Sequence, residues 1–256
     1  YSVVGGCCVY YLAQAMVGNG AVTDPSAMRS AFEAFASAGT LPVLCHVVFL
    51  SATAGVVLCG VEKGIERVSK VLMPLLFILM CVLIVRGLTL PGAFDGIRFL
   101  FTPDPSAFTG EALLNAMGFA FFSLSVGSGS MMNYGSYLSS RVNIPTSTAW
   151  VVFLAILSSI LGGLMIMPAV FAFGLSPDAG PGLTFVTMPA IFAQMPFGQL
   201  FAVFFYVCLL VAAITSSVSM MEACVSLLNQ ELMLSRRNAI VATTVGAAVV
   251  GLGATL

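Results

Sequence analysis

The stretch from Phe121 to Tyr137, FFSLSVGSGSMMNYGSY, constrains this chain more than any other. It interrupts a long apolar run that begins near Ala112 with Ser123, Ser125, Gly127, Ser128, Gly129 and Ser130. Serine side chains compete for backbone hydrogen bonds and glycine adds backbone entropy, so the cluster weakens a helix instead of extending it. A helix is predicted to break here. Hydrocarbon offers no partners to the N–H and C=O groups that a break sets free. The cost, roughly several kcal/mol per group, is tolerable only where the break faces protein or a polar cavity. An interrupted membrane helix therefore points to a binding site. The alternative is that small residues simply let two helices pack closely.

That the run lies in a membrane follows from composition. Only 7% of the 256 residues are charged and 59% are hydrophobic, with a mean hydropathy of +1.07, whereas soluble domains carry roughly 25% charged residues. Nine lysines and arginines against ten acids leave a net charge of −1, which suggests no basic surface for nucleic acid. Seven cysteines without C-x-x-C spacing indicate neither a zinc site nor a disulfide framework, and buried, inert thiols are expected. The chain opens at Tyr1 within an apolar pattern, with no initiating Met and no signal-peptide region, and reads as a piece of a longer protein.

The apolar segments predict spans at about 1–17, 42–60, 68–90, 111–139, 147–173, 198–229 and 236–256. Between the first two, Thr23-Asp24-Pro25 reads as a cap with a first-turn proline, and Met28, Phe32 and Phe35 recur on one face of an amphipathic surface helix. Residues 91–110 read as a polar loop, and Pro168 is expected to kink the fifth span. Residues 174–197 hold prolines at 177, 181, 189 and 196 but remain apolar, which suits a re-entrant or capping hairpin. Lys63, Arg67, Lys70, Arg141, Arg236 and Arg237 fall in one set of alternate loops, and Arg29, Arg86 and Arg98 in the other. The richer set belongs in the cytoplasm, which puts the hairpin outside.

In the sixth span, Ala212, Thr215 and Ser216 stand at i, i+3 and i+4, so one carbonyl and two hydroxyls share a helix face. Neutral oxygens suit a monovalent cation that must also leave, although Thr and Ser commonly bond back to preceding carbonyls instead. Glu222 follows two turns later on nearly the same face and reads either as a functional intramembrane acid or as a snorkelling one. His46, the only histidine, reads as a hydrogen-bonded interior residue, and Trp150, Tyr10, Tyr11 and Tyr206 as interface anchors or packing. No G-x-S-x-G elbow, H-E-x-x-H, phosphate loop or carboxylate pair occurs, so an enzyme is disfavoured.

Phe121-Phe122-Ser123-Leu124-Ser125-Val126-Gly127 resembles the unwound helix 6 of the neurotransmitter:sodium symporters, where two aromatics precede a Thr/Ser-Leu-Ser-x-Gly break. Ala212–Ser217 resembles their helix 8 sodium motif, GLMIMPAVFAFG (163–174) their helix 7, and Gly180–Pro189 the fourth extracellular loop of bacterial members. The motifs fall in order, so the chain looks like helices 3 to 9. The resemblance implies an all-α, polytopic membrane bundle: an incomplete LeuT-type inverted-repeat fold with a discontinuous helix, in the inner or plasma membrane. It implies sodium-coupled symport of an amino acid by alternating access.

By position, the resemblance puts Tyr1, Phe122, Ser123, Ser125, Gly127, Ser128, Ser216 and Met220 at the substrate, with Tyr1 and Phe122 as an outer gate. Ala212, Thr215, Ser216 and Ser123 would hold sodium. Ser128 offers little volume and Met220 is adaptable, which favours a large hydrophobic or aromatic amino acid. Ala155 and Phe119 replace the usual first-site Asn or Asp and the usual Gln, and Cys7 a usual tryptophan. Ser159 stands where chloride-dependent members carry serine, and with Phe119 and Ala155 beside it chloride stays open. The partners implied are an amino acid and the lipid bilayer, with room for a homo-oligomer. Rival readings are a non-transporting, degenerate copy or scaffold of the fold and, with neither pore loop nor charged ring in the sequence, an ion channel.

Overall fold

The computed structural model describes residues 1–18, 25–127, 129–139, 141–175 and 182–255, and among them every regular element is a helix. Four stretches are long and apolar enough to cross a bilayer: Thr40–Leu58, Gly64–Leu88, Ile144–Ala172 and Gly198–Glu231, with hydropathies of 2.1 to 2.6. We label the elements α1 (Ser2–Val17), α2 (Pro25–Ala36), α3 (Thr40–Leu58), α4 (Arg67–Leu88) and α5 (Ala93–Phe101). There follow α6 (Gly110–Ser123), α7 (Ser130–Ser136), α8 (Ile144–Ala172), α9 (Met188–Gln194), α10 (Gly198–Glu231) and α11 (Arg236–Thr255).

Local chemistry sets the ends. Gly18, at φ 81°, closes α1 by donating its N–H to the Gln14 carbonyl at 3.1 Å, the left-handed cap that glycine adopts without penalty. The Thr109 hydroxyl accepts from the Ala112 N–H to open α6, and the Asn143 side chain accepts from the Thr146 N–H to open α8. The Thr23-Asp24 cap expected before α2 lies outside the described residues.

Small residues decide how the helices meet. α1 packs between α3 and α10, α10 also carries α4 and α11, and α8 packs on α4 and α5. A Cβ at Gly6 of α1 would lie 2.8 Å from the His46 backbone nitrogen of α3, and one at Gly5 would lie 2.5 Å from the Phe49 ring. From the other side, a Cβ at Gly251 of α11 would come within 2.4 Å of His46 Nε2. His46 is thus a fully buried interior residue, as expected. Among the described residues, however, neither ring nitrogen has a hydrogen-bond partner, against the expectation that it would.

One loop reading gives way to a helix. Within 91–110, α5 forms because Ala93, Gly96 and Leu100 recur at helical spacing and seat it on α8, where a Cβ at Gly96 would meet the Met167 carbonyl at 2.5 Å. α8 continues unbroken with Pro168 inside it. Beyond residues 176–181, which lie outside the described set together with Gly180-Pro181, the chain runs through a π-helical turn, Leu183–Thr187, into α9. Phe185, Met188, Ile191 and Phe192 of this segment are buried in the main core, with Phe185 stacked on Phe32 of α2 at 5.9 Å.

Candidate functional site

The predicted break is present. α6 ends as the Leu124, Ser125 and Val126 N–H groups donate back to the carbonyls of Ala120, Phe122 and Phe121 at 2.9–3.1 Å. The backbone then enters the left-handed region at Ser125 (φ 54°), Gly127 (φ 87°) and Gly129 (φ 79°) before α7 starts. Glycine tolerates this freely, whereas Ser125 bears a strain of about 1–2 kcal/mol. No side chain of α6 is buried; Phe122 is 69% exposed, and Ser123 and Gly127 are exposed as well. Ser128 lies outside the described residues.

On α10 the adjacent hydroxyls divide their work. The Thr215 hydroxyl donates to the carbonyls of Val211 and Ala212, both at 3.0 Å, so its oxygen sits beside the Ala212 oxygen. Ser217 points into the core, where its oxygen accepts from the Thr53 hydroxyl of α3 at 3.3 Å. Ser216 is exposed and has no hydrogen-bond partner among the described residues. Ala212 and Thr215 are half-buried. This face therefore carries neutral oxygens only: the Ala212 carbonyl, which accepts from the Thr215 hydroxyl as well as within the helix ladder, the Thr215 oxygen with its proton turned away, and the exposed Ser216 hydroxyl.

The break is tied to this helix. The Tyr134 hydroxyl of α7 donates to Ser219 Oγ at 2.8 Å, and Ser219 donates on to the Thr215 carbonyl at 3.1 Å. One turn further, the Tyr137 hydroxyl donates to Glu222 Oε1 at 3.2 Å. Glu222 is fully buried and holds Arg236 of α11 through two N–H···O contacts of 2.9 and 2.8 Å, while the same guanidinium donates to the Val57 carbonyl of α3 at 3.1 Å. Glu222 of α10 thus accepts from Tyr137, just beyond α7, and from Arg236 of α11, whose guanidinium also reaches α3, so it is a paired interior acid and does not snorkel. Residue-by-residue reading missed Tyr134, Tyr137 and Arg236, although the i, i+3 tyrosines and the lone arginine pair after α10 were visible signals.

The remaining expected positions are not gathered in. Tyr1 is 52% exposed at the start of α1, and Met220 is partly exposed on α10. Ser159 donates to the Ala155 carbonyl at 3.0 Å, which commits its proton to its own helix. Tyr134→Phe is expected to loosen α7 from α10 at a cost of about 0.5–1.5 kcal/mol. The readout is a rise in amide hydrogen exchange confined to 130–136, and unchanged exchange there would refute the tether.

A family model described as the sodium:neurotransmitter symporter family matches residues 27–255. The uncharacterized sodium-dependent transporter YhdH of Bacillus subtilis (strain 168) is 42% identical over 88% of this chain and 50% of its own length. An uncharacterized sodium-dependent transporter of Haemophilus influenzae is 32% identical over 98% of the chain and 56% of its own. The crystal structure of MhsT in complex with L-phenylalanine superposes with a TM-score of 0.91 at 38% identity, covering 100% of this chain and 58% of that one. The chain thus spans about half the length of the curated relatives it matches. The relatives are named transporters and not enzymes, in line with the sequence. The apolar spans, the helix broken at Ser125–Gly129 and these likenesses agree: this is a membrane protein of LeuT-type fold, and the chain belongs to the sodium:neurotransmitter symporter family.

Proposed function

We propose that the whole protein carries a large hydrophobic or aromatic amino acid across the cell membrane together with sodium, by alternating access, and that this chain contributes the broken helix and the facing side of α10. The observation that carries the reading is the break itself, bonded through Tyr134 and Ser219 to the carbonyl of Thr215. Strained backbone at membrane depth persists where it serves a site. Ala212, Thr215 and Ser216 would hold sodium, joined by Ser123. Ser125, Gly127, Ser128, Ser216 and Met220 would take the substrate beneath a gate of Tyr1 and Phe122. The bound L-phenylalanine of MhsT supports the preference for an aromatic side chain. A non-transporting copy is the second reading, favoured by Ala155 and Phe119 at positions where a first sodium site would need polar side chains.

Sodium-stimulated uptake by the full-length protein in vesicles separates the two. Thr215→Val and Ser216→Ala each remove one oxygen ligand, worth about 1–3 kcal/mol, and are expected to raise the sodium concentration for half-maximal uptake roughly 5- to 150-fold. Unchanged sodium dependence in both variants would sink the assignment. In the same vesicles phenylalanine and tryptophan are expected to compete better than alanine or glycine, and the reverse order would reject the substrate class. Replacing chloride by gluconate tests the role of Ser159.

The positive-inside rule gives the orientation. A cysteine at the exposed Phe197 is expected to react with an impermeant thiol reagent from outside, and one at the exposed Arg237 only after the cells are opened. Labelling in the opposite sense would invert the topology.

A further inference from the structure

A cavity of about 350 Å³ lies where the end of α1 meets α2, α9 and the start of α10. It is set apart from the hydroxyl face of α10: Tyr206, on its wall, precedes Thr215 by nine positions along the helix, or about 14 Å at 1.5 Å per residue. The volume falls in the lower part of the small-molecule range of roughly 300–1,000 Å³.

Its walls are aromatic and fixed. Tyr11, Phe192 and Tyr206 are buried and line it. Tyr206 spends its hydroxyl on the Thr184 carbonyl at 3.1 Å, so it offers the cavity a ring alone. Tyr11 is braced against the rings of Phe185 and Tyr206 at 5.1 and 5.5 Å. Such walls need little reordering to receive a flat guest.

The polar lining is directional. The Gln14 amide donates to the Tyr10 hydroxyl at 3.0 Å. That leaves the Tyr10 O–H to donate and the Gln14 carbonyl oxygen to accept, and neither has a further hydrogen-bond partner among the described residues. Among the described residues, no Asp, Glu, Lys, Arg or His lines the cavity. A zwitterionic amino acid or an inorganic ion would lose its hydration here with no charge in exchange. A neutral ring keeps its dispersion contacts and meets the Tyr10–Gln14 pair on one side and the exposed Gln199 amide, which donates to the Met16 carbonyl at 3.4 Å, on another.

We propose that this cavity is a binding site for a neutral, ring-bearing small molecule with a single hydrogen-bonding group, of the indole or phenol class, separate from the substrate site. An occupant would brace α1, α9 and α10 against one another. The proposal does not depend on transport.

The test is fluorine NMR of 5-fluoroindole with the full-length protein in lipid nanodiscs, referenced to empty nanodiscs of the same lipid. The expected result is a saturable, shifted resonance that persists with saturating phenylalanine and sodium. Ala202→Phe fills the wall, and Ala31→Trp, from an exposed position on α2, covers the mouth without entering the core. Each should weaken binding at least tenfold, and Ala31→Trp serves alone if the other fails to fold. Partition identical to that of empty nanodiscs would overturn the proposal. So would a saturable signal that survives both variants, or one displaced by phenylalanine.

Discussion

Arg236→Ala should destabilise the full-length protein by about 3–5 kcal/mol in reversible denaturation within a lipid-mimetic micelle. The substitution leaves the Glu222 carboxylate, fully buried, with only the Tyr137 hydroxyl for company, and it strips the Val57 carbonyl of a donor. Glu222→Gln is expected to cost less, because the Arg236 side chain it abandons is 37% exposed and recovers hydration. The double replacement of both by alanine should cost less than the two single changes added together, since no uncompensated charge is left inside. Equal losses for Arg236→Ala and Glu222→Gln would mean that burial of the carboxylate is not what makes the pair matter.

Gly198→Val is expected to be poorly tolerated as well. A Cβ there would stand 1.6 Å from the Phe192 carbonyl oxygen and 2.7 Å from its carbon. These are backbone atoms, and no rotamer change relieves them. Overpacking of a core costs roughly 1–3 kcal/mol when side chains can yield, and here the turn joining α9 to α10 must itself move, so the loss should reach or exceed that upper figure. Size-exclusion profiles of the detergent-solubilised protein are expected to shift to aggregate. Gly246→Ala is the control, on α11 with nothing within 4 Å of an added Cβ. Exchanging a helical glycine for alanine should be neutral or stabilising by about 0.5–1 kcal/mol. Comparable monodisperse yields of the two variants would refute the packing argument.

What could be read in the sequence was governed by distance along the chain. The break between α6 and α7 was legible because serine and glycine act on their own backbone, and the left-handed angles at Ser125, Gly127 and Gly129 fall within the cluster that announced it. The hydroxyl face of α10 was legible because helical spacing is local. Which hydroxyl faces the core was not, since Ser217 is claimed by Thr53 on another helix. Arg236 entered only as a loop charge, because its role appears once α11 folds back beside α10. Helix α5 escaped notice behind its aspartate, prolines and glycines, and only the seat that α8 provides for Gly96 explains it. For His46 a hydrogen bond was expected on the general habit of buried polar groups, yet glycines on two neighbouring helices press so closely that packing governs instead.

The two tyrosine contacts made by α7 and the residue that caps it share a pitch. Tyr134 and Tyr137 are three residues apart, and so are their acceptors Ser219 and Glu222, with both numbers rising in the same direction. The segments therefore run side by side like two parallel racks with two teeth engaged. Turning α7 by one residue, about 100° at 3.6 residues per turn, disengages both teeth together. The two hydroxyl-bearing residues are neighbours on the helix surface, about 60° apart around its axis. Rotation of α7 against α10 therefore strains both bonds, and full separation of the two segments costs two side-chain hydrogen bonds together.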